Sequence, residues 1–163
     1  MGCFPEDELT FEGSNVEFKN HTREWGTGLL TTRGISTAAG SQTDSTRRVL
    51  EVTRVRDTVY VQLVGPQSST DRTVNFTVRS TSTAVHGSHY SFNASNAYDA
   101  ASSTGSVTVP ANSSVGYLIL DLNVNPAALA LGALVRVDVD LTGSAEIAPL
   151  LNYDVFKVTI RGQ

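Results

Sequence analysis

The sequence predicts an all-β protein, a two-sheet antiparallel β-sandwich of seven to eight strands. Three observations lead there. Apolar and polar residues alternate over several short runs, the pattern of strands with one face buried. Clusters of Gly, Asn, Pro and Ser separate the runs, and nowhere does a full-length helical periodicity replace them. With 163 residues, 40% hydrophobic and 17% charged, the chain is long enough to bury one core unaided, and its many Val, Thr and Ser residues favour strands.

Residues 1–14 lack periodicity and are expected to form an acidic linker, with 15–163 as one domain. In NVEFKN, Val16 and Phe18 flank Glu17 as a short first strand. Residues 21–46 are rich in Gly, Thr and Ser and suit a long connection, with one short strand around Gly28–Thr32. RRVLEVTRV and TVYVQLVG are extended runs to either side of Asp57. The second has Val59, Val61 and Leu63 on one face and Thr58, Tyr60 and Gln62 on the other. RTVNFTVRS points Val74, Phe76 and Val78 inward, as a half-buried antiparallel strand does. Val107 and Val109 precede Pro110, which has no N–H to donate and limits the ladder there. A turn at Pro110-Ala111-Asn112 leads into SVGYLILDLNV, apolar on both faces at its centre, which predicts a central strand or one under a covering loop. NPAALALGAL is either one helical turn or a loop over the sheet edge. ALVRVDVDLTG and YDVFKVTIRG close the chain, with Val135, Val137, Val139 and Leu141, then Phe156, Val158 and Ile160, directed inward.

The net charge of -4 sits at the front: residues 1–20 hold Glu6, Asp7, Glu8, Glu12 and Glu17 against Lys19 alone. The remainder balances, which argues against electrostatic nucleic-acid binding. No apolar run is long enough to span a bilayer; the richest, Ala127–Val139, is interrupted by Gly132 and Arg136. The one cysteine, Cys3, excludes an internal disulfide. It is either an inert terminal thiol or a lipidation site. Gly2-Cys3 resembles the end of a bacterial lipobox, with Met1 as a start codon replacing the removed signal segment. Glu6, Asp7 and Glu8 resemble the export tag of some Gram-negative surface lipoproteins. These features predict a lipid-anchored protein at the cell surface, on the outer membrane, contacting the bilayer through its anchor only.

The order of VYVQLVG, VNFTVRSTSTAVHGSHYSF, GSVTVPANSSVGYLILDL, LVRVDVDLTGS and NYDVFKVTIRG resembles Calx-β-type, immunoglobulin-like sandwiches. It is similar above all to an uncharacterised family of Gram-negative surface lipoproteins with a Calx-β-like domain. Their markers are a turn carrying Ala84, Gly87 and Tyr90, a strand after Pro-Ala, and a closing strand introduced by Asn152. The resemblance spans residues 57–162 and implies the sandwich, with Tyr90 beside the core. Calx-β domains often bind calcium through clustered loop carboxylates. Here His89 stands where many have Asp, and no loop is acidic enough for a six- to eight-oxygen site.

Asp138 and Asp140 share a strand face at a spacing of about 7 Å that would suit an acid–base pair, although solvated charges opposite Val137 and Val139 are the simpler reading. His86 and His89 supply two imidazoles where a metal site needs three or four ligands. There is no G-x-S-x-G elbow, Walker loop or H-E-x-x-H, so no enzyme and no cofactor are expected. Arg47, Arg48, Arg54 and Arg56 protect a sheet edge or clamp an acidic ligand. Trp25, Tyr90, Phe92 and Tyr98 make the candidate ligand surface, because sugars and protein partners both dock on rings. The candidate ligand set is therefore Trp25, His89, Tyr98, Arg54 and Arg56. Asn-x-Ser/Thr sequons occur at Asn20, Asn75, Asn93 and Asn112. The function expected is a non-enzymatic surface lipoprotein module that binds glycan or protein as an accessory component. The alternatives are a structural domain of an outer-membrane assembly or adhesin and, third, a Calx-β-like calcium module.

Overall fold

The computed structural model describes residues 13–18, 45–50, 56–122, 129–151 and 153–162. They form an all-β sandwich of ten strands: β1 (Asn15–Phe18), β2 (Ser45–Leu50), β3 (Arg56–Val64), β4 (Arg72–Val78), β5 (Tyr90–Phe92), β6 (Thr104–Val109), β7 (Val115–Leu122), β8 (Leu134–Gly143), β9 (Ala148–Pro149) and β10 (Val155–Arg161). A single 3-10 turn, Ala94–Asn96, follows β5. The first sheet runs β5-β7-β3-β1-β9 and the second β2-β10-β8-β4-β6. Most neighbours are antiparallel, but β1 pairs with β9, and β10 with β2, in parallel. The expected two-sheet, mainly antiparallel sandwich is the one observed, with ten strands among the described residues where seven to eight were expected. Two-residue β9 carries too little sequence to show alternation, and pairing direction leaves no mark on it.

Alternation places the core as expected. Val59, Val61 and Leu63 of β3 and Leu118, Leu120 and Leu122 of β7 are buried in one cluster with Val74 and Phe76 of β4 and Val107 and Val109 of β6. Val137, Val139 and Leu141 of β8 and Phe156, Val158 and Ile160 of β10 complete it, and β1 adds Val16 and Phe18. Each such side chain contributes about 1.5–3 kcal/mol when fully buried, set against the entropy of ordering the chain. β7 is an interior strand between β5 and β3, the central place its apolar run predicted.

Asp57 departs from expectation. It lies inside β3, fully buried, because it shares the inward parity of Val59 and Val61. The runs on either side of it do not pair, since β2 and β3 belong to different sheets. The strand expected at Gly28–Thr32 lies outside the described residues. Of NPAALALGAL, the described part is the loop: Gly132 N donates to Gly162 O at 2.8 Å and Ala133 N to Ala130 O at 2.9 Å, while Leu129 is buried. Arg72 ties two loops together, donating to Pro66 O at 3.0 Å and Ser113 O at 3.1 Å.

β6 ends one sheet and β7 lies in the other, so the chain must turn between layers at close quarters. Gly116 permits this. A Cβ there would lie 2.7 Å from Val107 Cγ1 and 2.9 Å from Thr108 O. We expect Gly116→Ala to destabilise the fold by about 1–3 kcal/mol, the range for overpacking a well-filled interior. Chemical denaturation measures it, and an unchanged midpoint would show that β6 and β7 separate without penalty.

Candidate functional site

Between β4 and β5 the chain crosses from the second sheet to the first through residues 79–89. Gly87 adopts φ 82°, and His89 closes the loop by accepting a hydrogen bond at Nδ1 from Val85 N at 2.8 Å. Tyr90 and Phe92 then point inward and are buried. Tyr98 stacks on Phe76 at 6.1 Å with planes 3° apart and lies 4.6 Å from Phe92, while His86 lies 4.8 Å from Tyr98. Burial, with a smaller push from Tyr98, raises the Tyr90 phenol well above its usual range. Of the rings expected to form a ligand surface, Tyr90, Phe92 and Tyr98 thus pack at one end of the core. Tyr98 is half-buried against that core, and His89 serves its own loop. Tyr90 has the structural position that the resemblance implied.

The carboxylates of β8 are engaged as well. Asp138, expected in solvent, is only 1% exposed. Its Oδ1 accepts from Arg136 Nε at 2.5 Å, and Oδ2 from Arg136 Nη2 at 2.8 Å and Thr81 Oγ1 at 2.7 Å. Where β4 ends, residues 79–84 run along the freed edge of β8. Asp138 N donates to Ser82 Oγ, Arg136 N donates to Thr83 Oγ1, and this segment covers the aspartate. Asp140 accepts from Arg79 Nε at 2.7 Å. A carboxylate fixed by three donors and closed off from solvent is a structural anchor; the pair is not available as acid and base. Among the described residues no group of three or more His, Cys, Asp or Glu is placed to hold a metal ion.

The outer face of the first sheet is different. The β3–β7 register puts Arg56 opposite Asp121, Thr58 opposite Ile119, Tyr60 opposite Tyr117 and Gln62 opposite Val115. Tyr60 and Tyr117 meet edge to face at 5.4 Å and 66°, an arrangement aromatic quadrupoles favour. Tyr117 is 47% exposed. Beyond the short β5, the edge of β7 is completed by a side chain. Buried Asn96 donates from Nδ2 to Tyr117 O at 2.8 Å and accepts at Oδ1 from Ile119 N at 2.9 Å, as a neighbouring strand would. At the far end of the face, Asp121 accepts from Arg56 Nε at 2.5 Å and from Asn93 Nδ2 at 3.0 Å.

Of the sequence-predicted ligand residues, Arg56 belongs to this face, paired with Asp121, while His89 and Tyr98 belong to the sealed end. Cys3, Trp25 and Arg54 lie outside the described residues. Arg47 and Arg48 are on β2, the edge strand of the second sheet. Tyr60 and Tyr117, which this face presents, were not among the sequence-predicted candidates. The signal existed, since both occupy outward positions in their alternating runs.

No protein-family model matches the chain, and no curated protein is significantly similar to it in sequence. Solved structures do match. The apo CBD1 domain of Calx superposes with a TM-score of 0.57 at 12% identity, covering 93% of this chain and 99% of that one. A Bacteroides ovatus protein provisionally described as carbohydrate-binding gives 0.48 at 10% identity, covering 91% of this chain and 37% of that one. A family 123 glycoside hydrolase from Clostridium perfringens gives 0.37 at 7% identity, covering 72% and 22%. The first match shows a shared Calx-β-like sandwich; the other two lie below the level at which even fold is argued.

The Arg56 hydrogen bond, ahead of that from Asn93, holds the Asp121 carboxyl below the usual aspartate range. A depressed folded-state value means that the pair stabilises fully above the unfolded value, near pH 4, and that this contribution is lost as pH falls through the folded one. Arg56→Gln should therefore raise the Asp121 midpoint in a carbon-detected NMR titration. An unmoved midpoint would mean that the pair does not form in solution.

Proposed function

We propose that the chain is a non-enzymatic binding module that recognises glycan or protein as an accessory component at the cell surface. The observation that carries this reading is the tyrosine pair held on an open strand face. The groups that chemistry would draw on, Asp138, Asp140 and His89, are each engaged in holding the fold. A binding surface needs rings and hydrogen-bonding groups in fixed positions, and this face has both.

Anchoring is the second half of the proposal. Gly2-Cys3 followed by Glu6, Asp7 and Glu8 supports a lipidated cysteine on an acidic, solvated spacer at the outer membrane. A second reading, a structural domain of an outer-membrane assembly or adhesin, draws support from exposed apolar residues at one end of the sandwich. Leu134 lies opposite Arg161 in register, Leu131 is in the adjoining loop, and Val85 follows the Ala84 that bonds Arg136. Such residues suit a lateral protein contact.

Expression of the full-length precursor with radiolabelled palmitate should label the protein, and Cys3→Ala should abolish the label. Persistent label in Cys3→Ala would remove Cys3 as the anchor, and no label on the unaltered precursor would remove the anchor altogether. On the recognition side, a glycan array and surface crosslinking together decide: one should yield a ligand, and silence in both would leave the structural-domain reading standing.

A further inference from the structure

We propose that the outer face of β3 and β7 is the recognition site and that its ligand is a neutral oligosaccharide, lying along the strands with one ring stacked on Tyr117. The inference rests on the binding-module reading above and supplies its site and ligand class. It moves the site away from the loop aromatics, which seal the core.

Tyr117 carries the argument. A large aromatic near mid-strand, 47% exposed, gains little from where it sits, yet the fold holds it from two sides. Tyr60 braces the ring at 5.4 Å, and the buried Asn96 amide fixes the backbone on either side of residue 118. A ring so placed loses little freedom on binding, which is how a weak, shallow contact becomes useful. Ile119 and Val115, half-buried, follow at two-residue steps of about 7 Å along β7 and widen the apolar strip.

Four residues from Tyr117, about 13 Å along the strand, Arg56, Asp121 and Asn93 form the polar end. Asp121 accepts from both neighbours, and the terminal amino groups of Arg56, beyond the engaged Nε, offer donors for hydroxyls. The span suits a short oligosaccharide better than a single ring. A sugar chain presents C–H faces for the tyrosine and hydroxyls for the amide and guanidinium. The charges of Arg56 and Asp121 neutralise each other, so this end carries no net charge to attract an acidic glycan. A protein partner of ordinary size would call for a wider apolar centre than one strip between polar ends.

The test compares the full chain with Tyr117→Ala and Tyr117→Phe on neutral and acidic oligosaccharides, by array and then calorimetry, after denaturation shows that all three fold. Expected are binding of neutral oligosaccharides by the wild type, a loss on the order of tenfold for Tyr117→Ala, the weight of one aromatic contact, and near-wild-type binding by Tyr117→Phe. Glycan binding that Tyr117→Ala leaves unchanged overturns the site and spares the module reading. Binding of acidic glycans alone overturns the ligand class. If no glycan binds, a photo-crosslinker at position 117 separates the remaining cases: capture of a protein partner overturns the glycan assignment alone, and no capture overturns both.

Discussion

The two-residue period of a strand is the constraint on which the rest of this structure depends. Two sheets can exclude water from the space between them only if every other residue of each strand is apolar, and β3 and β7 meet this with Val59, Val61 and Leu63 facing the core beside Leu118, Leu120 and Leu122. Once those side chains are committed, Tyr60 and Tyr117 have no position except the outer face. Antiparallel register then sets them opposite each other. The same parity draws Asp57 inside with its apolar neighbours and sends Arg56 outside, where Asp121 meets it.

Satisfying the backbone is the second demand, and it is hardest where the chain changes sheets. A strand whose neighbour ends early exposes amide and carbonyl groups that must find partners. At β7 the Asn96 side chain stands in for a missing strand. At β8 the hydroxyls of Ser82 and Thr83 do so, together with the backbone of 79–84. These solutions have different by-products. Along β8 the covering segment encloses Asp138 and turns a surface acid into a buried anchor. Along β7 the edge is completed at no cost to the outer face, which stays open around Tyr117.

Local alternation was legible in the sequence, and the strands it governs, β1, β3, β4, β6, β7, β8 and β10, stand where it put them. What it could not carry is information held between distant residues. Asp138 is outward by parity, as alternation requires, and its burial follows from Thr81 and Ser82, 57 and 56 residues away. The edge-completing role of Asn96 depends on partners more than twenty residues along the chain. Tyr98 sits in a turn-rich segment that suggests exposure, yet its ring lies flat against Phe76. The candidate face was half legible: Arg56 was named, but Tyr60 and Tyr117 were read only as members of alternating strands.

Loop and strand aromatics differ in what holds them in water. A loop aromatic is available to ligand only if it resists burying itself, and no strand parity holds it out of the core; Tyr98, in the turn region after β5, packs inward against it. A strand aromatic on the outer face cannot do so, because reaching the interior would require a one-residue slip of register, which would expose Leu118, Leu120 and Leu122 together. The core thus pins Tyr117 in water at a cost far greater than the ring's own burial could return. In a sandwich of this kind, the residues best fixed for recognition are the outward members of its best-packed strands.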